Sequence, residues 1–120
     1  GFNQQARADA VRRAFFAEKS ALPDYWINGW YPLAGLSQAA ATASSDFSQW
    51  GGAGNSPMLV LQSLEDKAAP AEVAGRVLKQ RHPDRVTYAE VADAGHAFLP
   101  EQHEWLVGNI ISYLTKIAYW

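Results

Sequence analysis

The chain has 120 residues, 48% of them apolar, with ten basic and twelve acidic side chains and no cysteine. That length predicts one domain, against a usual ~100–200 residues each, with enough apolar content to build a core. A net charge of −2 without any block of five like charges argues against nucleic-acid binding by phosphate neutralisation, and the lack of cysteine removes disulfides, a thiol nucleophile and thiolate metal sites.

Residues 3–20 are predicted to be helical. Ala6, Ala10, Val11, Ala14, Phe15 and Ala17 make an apolar face, with Arg7, Asp9, Arg12, Arg13 and Glu18 around the rest. Pro23 should stop this helix. Residues 24–35 are dense in aromatics (Tyr25, Trp26, Trp30, Tyr31), with Asn28-Gly29 as a turn signal. A short Ala-rich helix is expected over 36–48. The run Gly51-Gly52-Ala53-Gly54-Asn55-Ser56-Pro57 is a loop and a boundary. Residues 1–55 thus read as a helical segment and 56–120 as a second segment of different texture. No apolar run approaches the roughly 18 residues that span a bilayer, so no membrane partner is expected. The polar, Ala-rich opening residues do not resemble a secretory leader. The compartment is not fixed by these features, with the cytoplasm favoured.

Beyond the loop the pattern becomes α/β. Met58 to Leu61 is a continuous apolar run after Pro57, the signature of a strand buried on both faces. Residues 71–81 read as a helix carrying Val73, Val77 and Leu78, stopped near His82-Pro83. Val86 to Val91 is rich in strand formers. Residues 101–117 read as a long helix with Leu106, Ile110, Leu114 and Ile117 on one stripe. Strand, helix and strand make a βαβ unit, whose strands run parallel. Both strand C-terminal ends then lie on the edge of the sheet where open α/β sheets place their sites.

Asp66 follows the first of those ends and His96 follows the second. A neutral imidazole takes a proton from a hydroxyl through one nitrogen, while a carboxylate on the other nitrogen fixes the tautomer and stabilises the imidazolium. Gly95 permits a close backbone approach or a positive φ. Pro70 shortens the acid loop and suits the first turn of the next helix. Taken singly, Asp66 is a loop acid and His96 a turn residue; their pairing with Pro70 favours catalysis.

The segment Pro57–Asp66 with Pro70, followed by Ala94-Gly95-His96, resembles the C-terminal part of the α/β-hydrolase superfamily. The resemblance covers residues 57–117, about half the chain. Residues 3–50 resemble, more loosely, the helical cap that many members insert before the acid strand. The resemblance implies Asp66 as triad acid, His96 as triad base, a small-molecule substrate and no cofactor. One departure is Ser63, where the family usually has Gly. The implied activity is hydrolysis of an ester, amide or related bond.

The larger departure concerns the nucleophile. The family carries G-x-S-x-G between a strand and a helix, and the nearest match here is Gly35-Leu36-Ser37-Gln38-Ala39. Pro32 precludes a central strand ahead of it, so Ser37 is expected to cap or begin a helix. The nucleophile and oxyanion hole are therefore expected outside this chain, which alone should be inactive. The missing N-terminal hydrolase portion, or a second copy of the chain, is the expected partner. The competing class is non-catalytic: an interaction fragment, or one subunit of a two-chain assembly. Trp26, Trp30, Tyr31 and Trp50 either line an apolar substrate pocket or form the packing core of the helical layer. Glu65 is expected to be solvated, Asp93 is a weaker alternative acid, and His82 and His103 are expected at the surface. His96 and His103 lack the carboxylate partners of a metal site, so none is expected. The apolar tail Ile117-Ala118-Tyr119-Trp120 is expected to dock on a neighbouring surface.

Overall fold

The computed structural model describes residues 3–52 and 54–118, excluding the Trp50 side chain. Helix α1 (Gln4–Phe15) begins at Asn3, whose Oδ1 accepts the Ala6 N–H at 2.7 Å, supplying one of the partners that the first turn lacks. It ends five residues earlier than the apolar spacing predicts. Phe16 turns to an extended backbone (φ −112°, ψ 148°), and its ring is 1% exposed. Burying a phenyl ring outweighs another helical turn. The Arg12 guanidinium donates to the Ser20 carbonyl at 2.6 Å and holds this exit.

Helix α2 (Asp24–Asn28) starts after Pro23 and closes at Gly29. Helix α3 (Pro32–Ser44) starts four residues before the expected position because Pro32 occupies its first turn, where a missing N–H costs nothing. Helix α4 (Phe47–Trp50) is capped by Asp46, whose carboxylate accepts the Ser48 N–H at 2.9 Å. That bond holds the Asp46 carboxyl below its ordinary value.

Strand β1 (Met58–Ser63) pairs in parallel with β2 (Val86–Val91), from Met58 opposite Val86 to Ser63 opposite Val91. This is a mixed helix-and-strand fold with the parallel pairing that the βαβ reading predicts. The connecting helix α5 (Gly75–Arg81) is shorter than expected. Residues 71–74 form turns, with the Pro70 carbonyl accepting both the Val73 and Ala74 N–H groups at 3.0 Å. The expected last helix is α7 (His103–Ala118), preceded by a short α6 (Phe98–Glu101) that the sequence pattern does not predict. They break at Gln102, whose side-chain amide reaches back to the Ala92 and Asp93 carbonyls at 3.3 Å.

Val11, Phe16 and Ala97 form a buried core cluster, with Phe15, Leu22 and Trp26 packed against it. This cluster joins the end of α1 to the loop that carries His96. Met58 to Leu61 are only half-buried, in contrast to the enclosed strand expected. The described sheet has two strands, with α5 and α7 against it, too little to cover both faces. No described helix is long and apolar enough to cross a membrane.

Candidate functional site

The acid loop begins where β1 ends. The parallel ladder continues past the strands, with Leu64 N–H donating to Val91 O at 2.9 Å and Glu65 N–H to Ala94 O at 3.0 Å. Asp66 Oδ1 accepts the N–H groups of Ala68 and Ala69 at 2.9 and 2.8 Å, closing a tight turn ahead of Pro70. Gln62, a polar residue in a buried strand position, supports that turn from beneath. Its amide donates to Ser63 O at 2.9 Å and Ala69 O at 3.1 Å, while its Oε1 accepts Gly75 N–H at 3.1 Å. One side chain thereby joins β1, the acid loop and the start of α5. Ser63 is buried at the strand end.

The second loop leaves β2 through Asp93, which takes the left-handed conformation (φ 57°) tolerated by Asp in turns. Gly95 follows, and it does not use positive φ. Its requirement is space: a Cβ there would lie 2.7 Å from Phe15 O and 2.8 Å from both Ala17 N and Phe16 C. Ala97 N–H donates to Phe15 O at 2.7 Å. Glu101 closes the arrangement, with Oε2 accepting Gly95 N–H at 2.6 Å and Oε1 accepting Ala17 N–H at 2.8 Å.

His96 Nδ1 lies 2.9 Å from Asp66 Oδ2 and 3.2 Å from Oδ1. The structure brings together the two residues that the strand order placed at one edge. An ionised carboxylate only accepts, so in the neutral imidazole Nδ1 carries the proton and Nε2 presents its lone pair. The Asp66 side chain is 10% exposed and that of His96 44%. Asp66 is thus sheltered while His96 stays accessible. Nε2 makes no hydrogen bond among the described residues.

The aromatic residues reach this pair through Phe15. Its ring centroid lies 5.7 Å from that of His96, 5.8 Å from Trp26 and 5.2 Å from Trp30. Phe16 meets Trp26 edge-on at 5.2 Å. Trp26 therefore belongs to the packing layer. Trp30 and Tyr31 also line a groove of about 560 Å³ with Val11, Ala14 and Phe15. A second groove, of about 390 Å³, runs between Tyr25, Trp26, Trp30 and Leu99. Neither is lined by Asp66 or His96. Tyr31 is 81% exposed. The Trp50 side chain and the terminal Tyr119 and Trp120 lie outside the described residues.

Ser37 lies inside α3, not at its cap as expected, and its hydroxyl donates to Leu33 O at 3.0 Å. A nucleophile elbow needs a strand before it and a free hydroxyl; Ser37 has neither. Glu65 is partly buried, and its carboxylate accepts the Glu18 N–H at 3.4 Å. His103 is exposed, 4.0 Å from Glu104. No group of three His, Asp or Glu side chains able to hold a metal occurs among the described residues. Sequence reasoning missed Gln62 and Glu101. A polar residue inside an apolar strand was a signal for the first; no local pattern marked the second.

No family model matches the chain, and no curated protein matches it.

Proposed function

We propose that this chain supplies the acid and base of an α/β-hydrolase-type hydrolase acting on an ester, amide or related bond, with the nucleophile and oxyanion hole outside it. The observation that carries this reading is the 2.9 Å contact of Asp66 Oδ2 with His96 Nδ1, beyond the C-terminal ends of two paired parallel strands. In the proposed mechanism His96 Nε2 takes the proton of an attacking hydroxyl and returns it to the leaving group. Asp66 holds the ring and stabilises its charged form. Residues 1–55 act as the cap and 56–120 as the core segment in this reading. Trp30 and Tyr31 border the apolar end of the substrate, with Trp26 behind them and Trp50 as a fourth candidate.

The chain alone should show no turnover of short activated esters, because a base without nucleophile or oxyanion hole leaves most of the acceleration unmade. Activity abolished by Ser37→Ala would sink the proposal. The sequence encoded ahead of Gly1 is the first place to seek a serine elbow. Joined to a polypeptide carrying one, His96→Ala should abolish activity, and Asp66→Asn should lower kcat by roughly 10⁴-fold; Glu65→Ala should have little effect.

A second reading, an interaction subunit without catalysis, is favoured by one observation. None of α7's residues is buried, and Val107, Ile111 and Leu114 are exposed. Half-buried β1 and this stripe are the surfaces that a missing sheet portion, or a second copy, would cover. Sedimentation at micromolar concentration should show association. A compact monomer with strongly protected amides in both strands would contradict it.

A further inference from the structure

The His96 loop is fixed less by its own sequence than by a carboxylate five residues away. Glu101 Oε2 accepts Gly95 N–H at 2.6 Å and Oε1 accepts Ala17 N–H at 2.8 Å. On the other side of His96, Ala97 N–H donates to Phe15 O at 2.7 Å. Both chain neighbours of the histidine are therefore bonded, and both sets of bonds lead to residues 15–17 at the end of α1. Ala17 is buried, as are Gly95 and Ala97. Gly95 has no room for a Cβ against that backbone. An amide donor facing a carboxylate forms a shorter and stronger bond than one facing a neutral oxygen, so the Glu101 carboxylate ties Gly95 to Ala17 beside the Ala97–Phe15 backbone bond.

We propose that Glu101 is a positioning residue. It locks the Gly95–Ala97 loop onto the Phe15–Ala17 turn, so that His96 meets Asp66 only while the end of α1 is docked. This rests on the reading of His96 as the base, and it adds a dependence of that base on the helical segment. A glutamine at 101 keeps the size but has one acceptor oxygen and an NH₂ donor. One of the two backbone N–H groups would then face a donor.

The test is nuclear magnetic resonance of the full chain labelled with ¹⁵N, comparing unaltered protein, Glu101→Gln and Glu104→Gln. The readouts are amide exchange at Gly95 and Ala17, and the low-field proton and ring-nitrogen shifts that report the Nδ1–H bond of His96 to Asp66. Glu101→Gln should raise exchange by at least about tenfold at whichever of the two amides faces the new NH₂ group and remove the low-field His96 signal. The exposed control Glu104→Gln should change neither, with residues 58–63 protected in all three proteins. A folded Glu101→Gln protein with an unchanged His96 signal, or with unchanged exchange at both amides, would overturn the proposal. If that variant loses strand protection, the unaltered chain decides. Gly95 and Ala17 should then be protected to within about threefold of each other, since one carboxylate holds both, and free exchange at either refutes the proposal. These spectra do not depend on hydrolysis. Failure of the hydrolase reading would leave them intact, and failure of the clamp would leave the Ser37 and ester assays unchanged.

Discussion

The loops around Asp66 and His96 and the helix α3 are built on opposite terms. Around Asp66 and His96, side chains from distant parts of the chain close on backbone groups. Gln62 spans the acid loop and α5, and Glu101 spans residues 95 and 17. In α3 none of the described residues is buried. Its hydroxyls turn back on their own helix, Ser37 on Leu33 O and Thr42 on Gln38 O, both at 3.0 Å. Alanine-rich sequence makes α3 from local preference. The site is made from contacts that no local preference supplies. Substitutions should therefore cost little or nothing in α3 and be costly near the site.

The largest contrast should come from core truncation. Phe16→Ala is expected to cost about 3–5 kcal/mol, as for a buried aromatic that leaves a cavity. Leu36→Ala, 68% exposed in α3, should stay within about 0.5 kcal/mol. Urea unfolding with comparable m-values measures both. Similar losses at the two positions would mean that α3 is packed in solution and would break the comparison.

A pair of glycines sharpens it at intermediate scale. Gly95→Ala drives a methyl group into the backbone of residues 15–17 and should cost about 1–3 kcal/mol. Gly35→Ala, inside α3 with nothing within 4 Å of the added atom, should stabilise by about 0.5–1 kcal/mol. Thermal unfolding of the two variants should shift in opposite directions.

The smallest effect concerns pH. Arg76 bonds Glu90 at 2.6 and 3.1 Å, and the Tyr88 hydroxyl donates to Glu90 Oε1 at 2.6 Å. The Arg76 hydrogen bond, then that of Tyr88, lowers the Glu90 carboxyl below its ordinary value. A depressed carboxyl contributes stability that is present above its unfolded value and lost as pH falls through the folded one. Burial first, then Glu90, pushes the Tyr88 hydroxyl up to about 12. Its contribution is complete below about pH 10 and is lost as pH rises toward the folded value. Arg76→Met should flatten the acid limb of a melting-temperature profile and Tyr88→Phe the alkaline limb. Helix α3 contains no titratable side chain and should contribute to neither.

Where chemistry is local, the sequence was a good guide. The apolar run from Met58 and the strand formers from Val86 lie in the two strands. The Asp66 and His96 positions after them follow from parallel pairing alone, because a βαβ unit puts both strand ends on one edge. Helix limits were less legible. Apolar spacing ran α1 on to residue 20, yet Phe16 leaves the helix for the core, a choice set by what lies across the molecule. Residues 71–74 stay in turns because of bonds to Pro70. Gly95 announced a tight place in the chain; only the folded structure decided that the backbone of residues 15–17 fills it. Glu101 had no signature at all, because a carboxylate that bonds amides six and eighty-four residues away leaves no period or spacing to read. Periodicity encodes which face of an element is apolar. The partner of a backbone amide is fixed only when distant segments meet.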